Sequence, residues 1–146
     1  GAMGMIDAWF ASIDAAMLDA LPAEGLSALS IRRRIIALVE ARLALLASDR
    51  DALRRALAIL AMPTHVVQAG KLGWRAADAM WRAAGDSTTD LNHYSKRMTL
   101  SAVYASTLLV FITLVTATAP FPNSHHSLPN SFLMQAIVVE ILENSI

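Results

Sequence analysis

The sequence predicts an all-α domain. Three observations carry this. Apolar residues recur at helical spacing in one segment after another. Pro, Gly and capping residues punctuate the joints between those segments. No strand-like alternation or hairpin turn signal occurs before residue 112.

Gly1-Ala2-Met3-Gly4 has the form of a protease scar from recombinant expression, which places the native start near Met5. Met5 to Leu21 reads as an amphipathic helix with Ile6, Trp9, Phe10, Ile13, Met17 and Leu21 on one stripe. It lacks a basic leader, and Asp7, Asp14 and Asp19 interrupt it, so it is not a secretory signal. Leu21-Pro22-Ala23-Glu24-Gly25 breaks this helix.

A second helix is expected from Ser30 to Ala47, with Ile31, Ile35, Leu38, Val39, Leu43, Leu45 and Leu46 apolar. Arg32, Arg33 and Arg34 fall in its first turn, where the helix dipole disfavours cations. They read as a solvated helix start, with phosphate or headgroup contact as the alternative. Ser48-Asp49-Arg50-Asp51 has capping-box form and opens a third helix to about Ala61, with Leu53, Leu57 and Leu60 facing one way. Met62-Pro63 stops it.

Thr64 is placed to cap a fourth helix, Val66 to Ala84, whose bulky apolar positions are Val67, Leu72, Trp74, Ala77, Met80 and Trp81. Gly70 and Gly73 predict a kink, and Gly85 falls at the C′ position. In Asp86-Ser87-Thr88-Thr89-Asp90, Ser87 or Thr88 caps a fifth helix from Asp90 to at least Ile112, and Asp90 suits its positive end.

The composition narrows the function. Hydrophobic residues make up 55% and charged residues 16% of the 146, and mean hydropathy is +0.47, which argues against disorder. Twelve basic residues balance twelve acidic ones, so binding nucleic acid by bulk charge is not expected. With no Cys, disulfides, thiolate nucleophiles and Cys-held zinc are excluded. His65, His93, His125 and His126 show no metal-ligand spacing with carboxylates. No nucleophile elbow, P-loop or dinucleotide fingerprint occurs. Catalysis, a metal and a resident cofactor are therefore not expected. No Asp, Glu, Lys or Arg lies between Arg97 and Glu140, and residues 98–119 are long enough to span a bilayer. By pattern alone that stretch is a membrane span or an all-round buried helix.

The segment Trp81-Arg82-Ala83-Ala84-Gly85-Asp86-Ser87-Thr88-Thr89-Asp90-Leu91-Asn92-His93-Tyr94-Ser95-Lys96-Arg97 resembles the signature of the ninth Coq protein family, accessory proteins of ubiquinone biosynthesis. The resemblance continues through Leu100, Val103, Tyr104, Ser106 and Thr107. Upstream it includes Arg42-Leu43-Ala44-Leu45-Leu46 and Ala56 to Pro63, so that it covers about 31–112. His93 suits a bacterial member.

The resemblance implies a TetR-like C-terminal helical bundle, and it favours a buried helix over a membrane span at 98–119. It further implies a non-enzymatic, dimeric protein, peripheral at the inner face of the bacterial cytoplasmic membrane. Such a protein binds lipid, including isoprenoid quinone precursors, and presents them to the di-iron demethoxyubiquinone hydroxylase. The expected lining of the lipid site is Leu57, Leu60, Trp74, Val103, Tyr104, Leu108 and Phe111, residues that equally suit a packed core. The expected docking set is Met80, Trp81, Leu91 and Tyr94, helped by Met98, with Asp78, Asp90, Asn92, His93, Lys96 and Arg97 as polar rim. Exposed together these make a surface; buried together they make core.

On this reading residues 5–112 are the lipid-binding domain. The helix-turn-helix-like N-terminal region of the family is missing or reduced to Met5–Leu21. Residues 113–146 depart from the family's acidic linker and final amphipathic helix, with a Pro/Ser/Asn/His cluster followed by a short apolar segment. A TetR-like ligand-sensing or dimerisation module without its DNA-binding part is the other soluble alternative.

Overall fold

The computed structural model describes residues 1–86, 91–117 and 140. These residues form an all-α bundle: α1 (Ala2–Ala20), α2 (Ala23–Ser27), α3 (Ile31–Ala47), α4 (Arg50–Leu60), a 3-10 turn (Pro63–His65), α5 (Val66–Ala83) and α6 (Leu91–Ala117). The strongest pairings are α5 with α6 and α1 with α3. Helix α5 also touches α1, α3 and α4, so it is the helix around which the others gather.

The stripes read from the sequence make the core. Ile6, Phe10, Ile13 and Met17 of α1 meet Ile35, Leu38, Val39, Leu43 and Leu46 of α3, with Leu72, Ala77, Met80 and Trp81 from α5. The core side of α5 is lined partly by Ala76 and Ala77, which lets its neighbours approach closely. Gly73 marks the tightest approach: a Cβ built there would lie 2.7 Å from Ser101 Oγ on α6. Gly73 thus admits α6, and α5 runs unbroken through both of its glycines.

Several local expectations change. Helix α1 begins at Ala2, so the four residues read as a scar join the fold, and Met3 packs against the core. Pro22 opens the short α2, which the breaker signal had hidden. Ser30 caps α3, its Oγ accepting from the Arg33 backbone N–H. Asp49 rather than Ser48 caps α4, accepting from the Ala52 N–H; the Ser48 hydroxyl is already donating back to the Leu45 carbonyl. Thr64 caps nothing, because the 3-10 turn intervenes and His65 takes the N-cap position of α5. Ile31 and Val67, expected on apolar stripes, are exposed. Ser87 to Asp90 and the tail beyond 117, apart from Glu140, lie outside the described residues, as do the side chains of Leu91 and Phe111.

Arg34 departs most from its expected role as a solvated charge. Its guanidinium donates to the carbonyls of Ser27, Leu29 and Ala84 at 3.2, 2.9 and 2.9 Å. These are orphan carbonyls at the ends of α2 and α5, the groups a helix C-terminus leaves unpaired. At the α5 end Gly85 has φ +93°. The Gly85 N–H bonds the Arg82 carbonyl and the Asp86 N–H bonds the Trp81 carbonyl, which is a Schellman closure. A Cβ on Gly85 would approach Arg34 to 3.3 Å as well as require a left-handed backbone. Gly85→Ala is therefore expected to lower unfolding free energy by about 1–2 kcal/mol, measurable by denaturant titration with helicity as the signal.

Candidate functional site

The turn at Gly85 sets the geometry of the signature segment. It reverses the chain so that α6 runs back along α5, bringing Lys96 and Arg97 beside Asp78 and Asp86. Arg97 Nε donates to Asp78 at 2.7 Å and its NH1 to Asp86 at 3.0 Å and to the His93 carbonyl at 3.2 Å. Lys96 bonds the other oxygen of Asp86 at 2.9 Å. Arg82 bonds Asp78 from the solvent side at 2.9 Å. Arg97 is 1% exposed and Asp86 5%. A buried charge survives only when paired and hydrogen-bonded, and here each charge answers another.

This arrangement corrects the docking set. Met80, Trp81 and Arg97 are buried and cannot form a contact surface. Trp81 packs in the core and donates its indole N–H to the Lys96 carbonyl at 3.1 Å, with the Lys96 ammonium over its ring. Asp78 is a half-buried member of the charge cluster rather than a rim residue. What remains outward is Asn92, Tyr94 and Met98, with His93 and Lys96 half-buried beside them. Tyr94 is 56% exposed. Its ring stands 5.9 Å from that of Trp74 and 5.2 Å, edge-on, from that of His93, so it is held on the surface by aromatic neighbours. Asp90 and the Leu91 side chain lie outside the described residues.

Burial would raise the Asp78 carboxyl, but hydrogen bonds from Arg97 and Arg82 outweigh it and hold the group below its ordinary value of 3.8. A depressed folded-state value contributes stability that is present above the unfolded value and lost as pH falls through the folded one. Stability of the wild type is thus expected to drop below about pH 4. Asp78→Asn should drop less across the same window when unfolding free energy is measured at each pH.

A second polar centre lies deeper, among the expected lining residues. Arg42 falls on the buried stripe of α3 and is 1% exposed. Its Nε donates to the Tyr104 hydroxyl at 2.6 Å, its NH1 to Asp14, and its guanidinium lies 5.1 Å from the Tyr104 ring centre. Arg75 then bonds Asp14 at 3.0 Å and Asp7 at 3.0 Å. This chain of charges ties α6, α3, α1 and α5 together. Burial disfavours the charged form of Arg42, but Tyr104 and Asp14 more than compensate and raise it. Burial pushes the Tyr104 phenol up; Arg42 pulls the other way without prevailing.

The remaining lining candidates spread over three helices. Leu57 and Leu60 are half-buried on α4, Trp74 half-buried on α5, and Val103 half-buried and Leu108 buried on α6. Leu57, Leu60 and Val103 pack against the common core cluster, while Tyr104 is a member of the charge chain as much as of any apolar wall. The Phe111 side chain lies outside the described residues.

Sequence reasoning passed over Asp86, Arg42, Asp14 and Arg75 as functional positions. Arg42 carried a signal: it occupies the i+4 position of the stripe formed by Ile35, Leu38, Val39, Leu43 and Leu46, where a charge demands partners. Among the described residues no group of three or more His, Cys, Asp or Glu could hold a metal ion. No helix there is long and apolar enough to cross a membrane. Over its described side chains α6 turns Arg97, Leu100, Tyr104, Thr107 and Leu108 into the protein at helical spacing, and the side chains of residues 111–117 and all of residues 118–119 lie outside the described residues.

A known protein family matches on this same hairpin. The COQ9 family model covers residues 66–119 and thus starts at the first residue of α5. The chain is 39% identical over 74 residues to the human mitochondrial ubiquinone biosynthesis protein COQ9, a stretch covering 51% of this chain and 23% of that protein. The rat protein of the same name is 38% identical over 74 residues, covering 51% of this chain and 24% of its own length. COQ9-B of Xenopus laevis is 38% identical over 58 residues, 40% of this chain and 20% of that protein. The match therefore spans about a quarter of these relatives or less. The α5–α6 hairpin, closed by its Schellman turn and its buried charge cluster, is the part that carries the family pattern, and over it the chain is similar to the COQ9 family.

Proposed function

We propose that the chain is a non-enzymatic, lipid-binding accessory protein of ubiquinone biosynthesis. It takes up isoprenoid quinone precursors at the inner face of the bacterial cytoplasmic membrane and presents them to the di-iron demethoxyubiquinone hydroxylase. The observation that carries this reading is the coincidence of the COQ9 match with one structural unit, the α5–α6 hairpin. The relatives that the chain resembles are named for ubiquinone biosynthesis.

Two features of the fold support the division of labour. The solvent side of α6 offers Tyr94 and Met98 together, large exposed apolar groups at i and i+4. Such a pair is the kind of aromatic and Met anchor that interfaces favour. The buried side of α6 supplies Leu108 and, half-buried at its edge, Val103 to the core, the side on which an apolar ligand is sheltered from water. A homodimer and peripheral membrane contact complete the proposal.

Native mass spectrometry with lipid extraction on protein purified without detergent tests it. Co-purified isoprenoid quinone precursor is the expected result. A lipid-free protein that also fails to bind added short-chain ubiquinone overturns the lipid-presenting role. A small polar ligand found instead selects a TetR-like sensing module.

A further inference from the structure

We propose that the Tyr104 hydroxyl is the polar anchor that selects a ligand bearing an acceptor oxygen, a ring carbonyl of an isoprenoid quinone, over a plain isoprenoid hydrocarbon; this rests on the lipid-binding reading above. The argument begins with the direction of one hydrogen bond. A phenol both donates and accepts. Tyr104 accepts from Arg42 Nε at 2.6 Å, and Arg42 can only donate. Among the described residues no acceptor receives the Tyr104 O–H, although its side chain is 4% exposed. A buried donor left without an acceptor costs about 1–3 kcal/mol, so the site is built to give a hydrogen bond.

Three further features make this donor suited to a neutral oxygen. The guanidinium that donates to the phenol oxygen polarises the O–H and strengthens it as a donor. Burial keeps the phenol in its protonated form at neutral pH. The carboxylate nearest the centre, Asp14, is engaged by both Arg42 and Arg75 and does not compete for the phenol proton. One turn to either side of Tyr104 on the buried face of α6 stand the apolar Leu100 and Leu108, and the Thr107 hydroxyl on that face is already donating to the Val103 carbonyl. One unused donor flanked by Leu100 and Leu108 discriminates by what the ligand carries at its head: an acceptor satisfies it, and a hydrocarbon leaves it unpaired.

The test compares two probes on the full chain: a short-chain benzoquinone with an isoprenoid tail, and squalene, an isoprenoid hydrocarbon without oxygen. Affinities are read by native mass spectrometry. Tyr104→Phe removes only the hydroxyl. It is expected to weaken quinone binding about tenfold while leaving squalene binding unchanged. A merely structural tyrosine would move both affinities together, and an unchanged ratio between the probes overturns the proposal. Infrared spectroscopy of quinone bound to the wild type needs no variant. Its carbonyl band is expected at lower frequency than in an apolar solvent, and a band at the apolar-solvent position also overturns the anchor. Wild type that binds neither probe defeats the lipid-binding reading itself, whereas binding both without preference defeats the anchor alone.

Discussion

Arg97→Met is expected to lower unfolding free energy by about 3–5 kcal/mol, the cost of removing one partner from a buried ion pair. The magnitude follows from what is left behind. Asp86 is 5% exposed and would lose its buried cation, while the half-buried Lys96 stays beside it. Asp78 would keep only the solvent-facing Arg82. The His93 carbonyl would also lose a donor in the first turns of α6. Against a typical total of about 5–15 kcal/mol, this change alone can unfold the chain. The comparison that isolates the cause is Lys96→Met. Lys96 is 28% exposed and binds Asp86 from the outside, so about 1 kcal/mol is expected there. Adding Asp86→Asn to Arg97→Met removes the stranded charge and should recover part of the loss. Denaturant unfolding of the four proteins measures all of this. Equal losses for Lys96→Met and Arg97→Met would show that burial is not what gives Arg97 its weight.

The same contrast explains what could be read in the sequence and what could not. Helix stripes are a one-dimensional signal, and α1, α3, α5 and α6 carry it through residues such as Ile6, Phe10, Ile13 and Met17 at their 3- and 4-residue spacings. The Gly85 C′ position was legible for the same reason, because the turn chemistry is local. The charge clusters were not. Arg34 meets Ala84 across 50 residues, Arg42 meets Tyr104 across 62, and Arg75 meets Asp14 across 61. No local pattern announces such a partner, so Arg34 read as solvated, Arg75 went unremarked and Arg42 entered only through the resemblance. Caps failed for a subtler reason. Ser48 and Asp49 are both good caps, and the choice turns on whether the Ser hydroxyl is already used by the preceding helix. In the candidate site, the signature placed its residues at one turn but left open which faced outward. The indole of Trp81 and the ring of Tyr94 look alike as sequence signals, yet one is 4% and the other 56% exposed.

That difference sets the second large effect. Trp81→Ala is expected to cost about 3–5 kcal/mol of stability, because it empties a core position and strips the donor from the Lys96 carbonyl. Any loss of partner binding it causes would follow from the loss of fold. Tyr94→Lys should do the reverse. Its ring is mostly solvated and rests on Trp74 and His93 at the surface, so the melting transition should stay within about 0.5 kcal/mol of wild type. If α6 presents the hydroxylase-docking face, a central aromatic anchor replaced by a cation should weaken the complex by 2 kcal/mol or more, roughly thirtyfold in Kd. Circular dichroism and a binding titration against the purified hydroxylase separate the two variants. The docking face is supported when Tyr94→Lys binds poorly while melting like wild type. Wild-type affinity for Tyr94→Lys would move the interface off the side of α6 that Tyr94 and Met98 share.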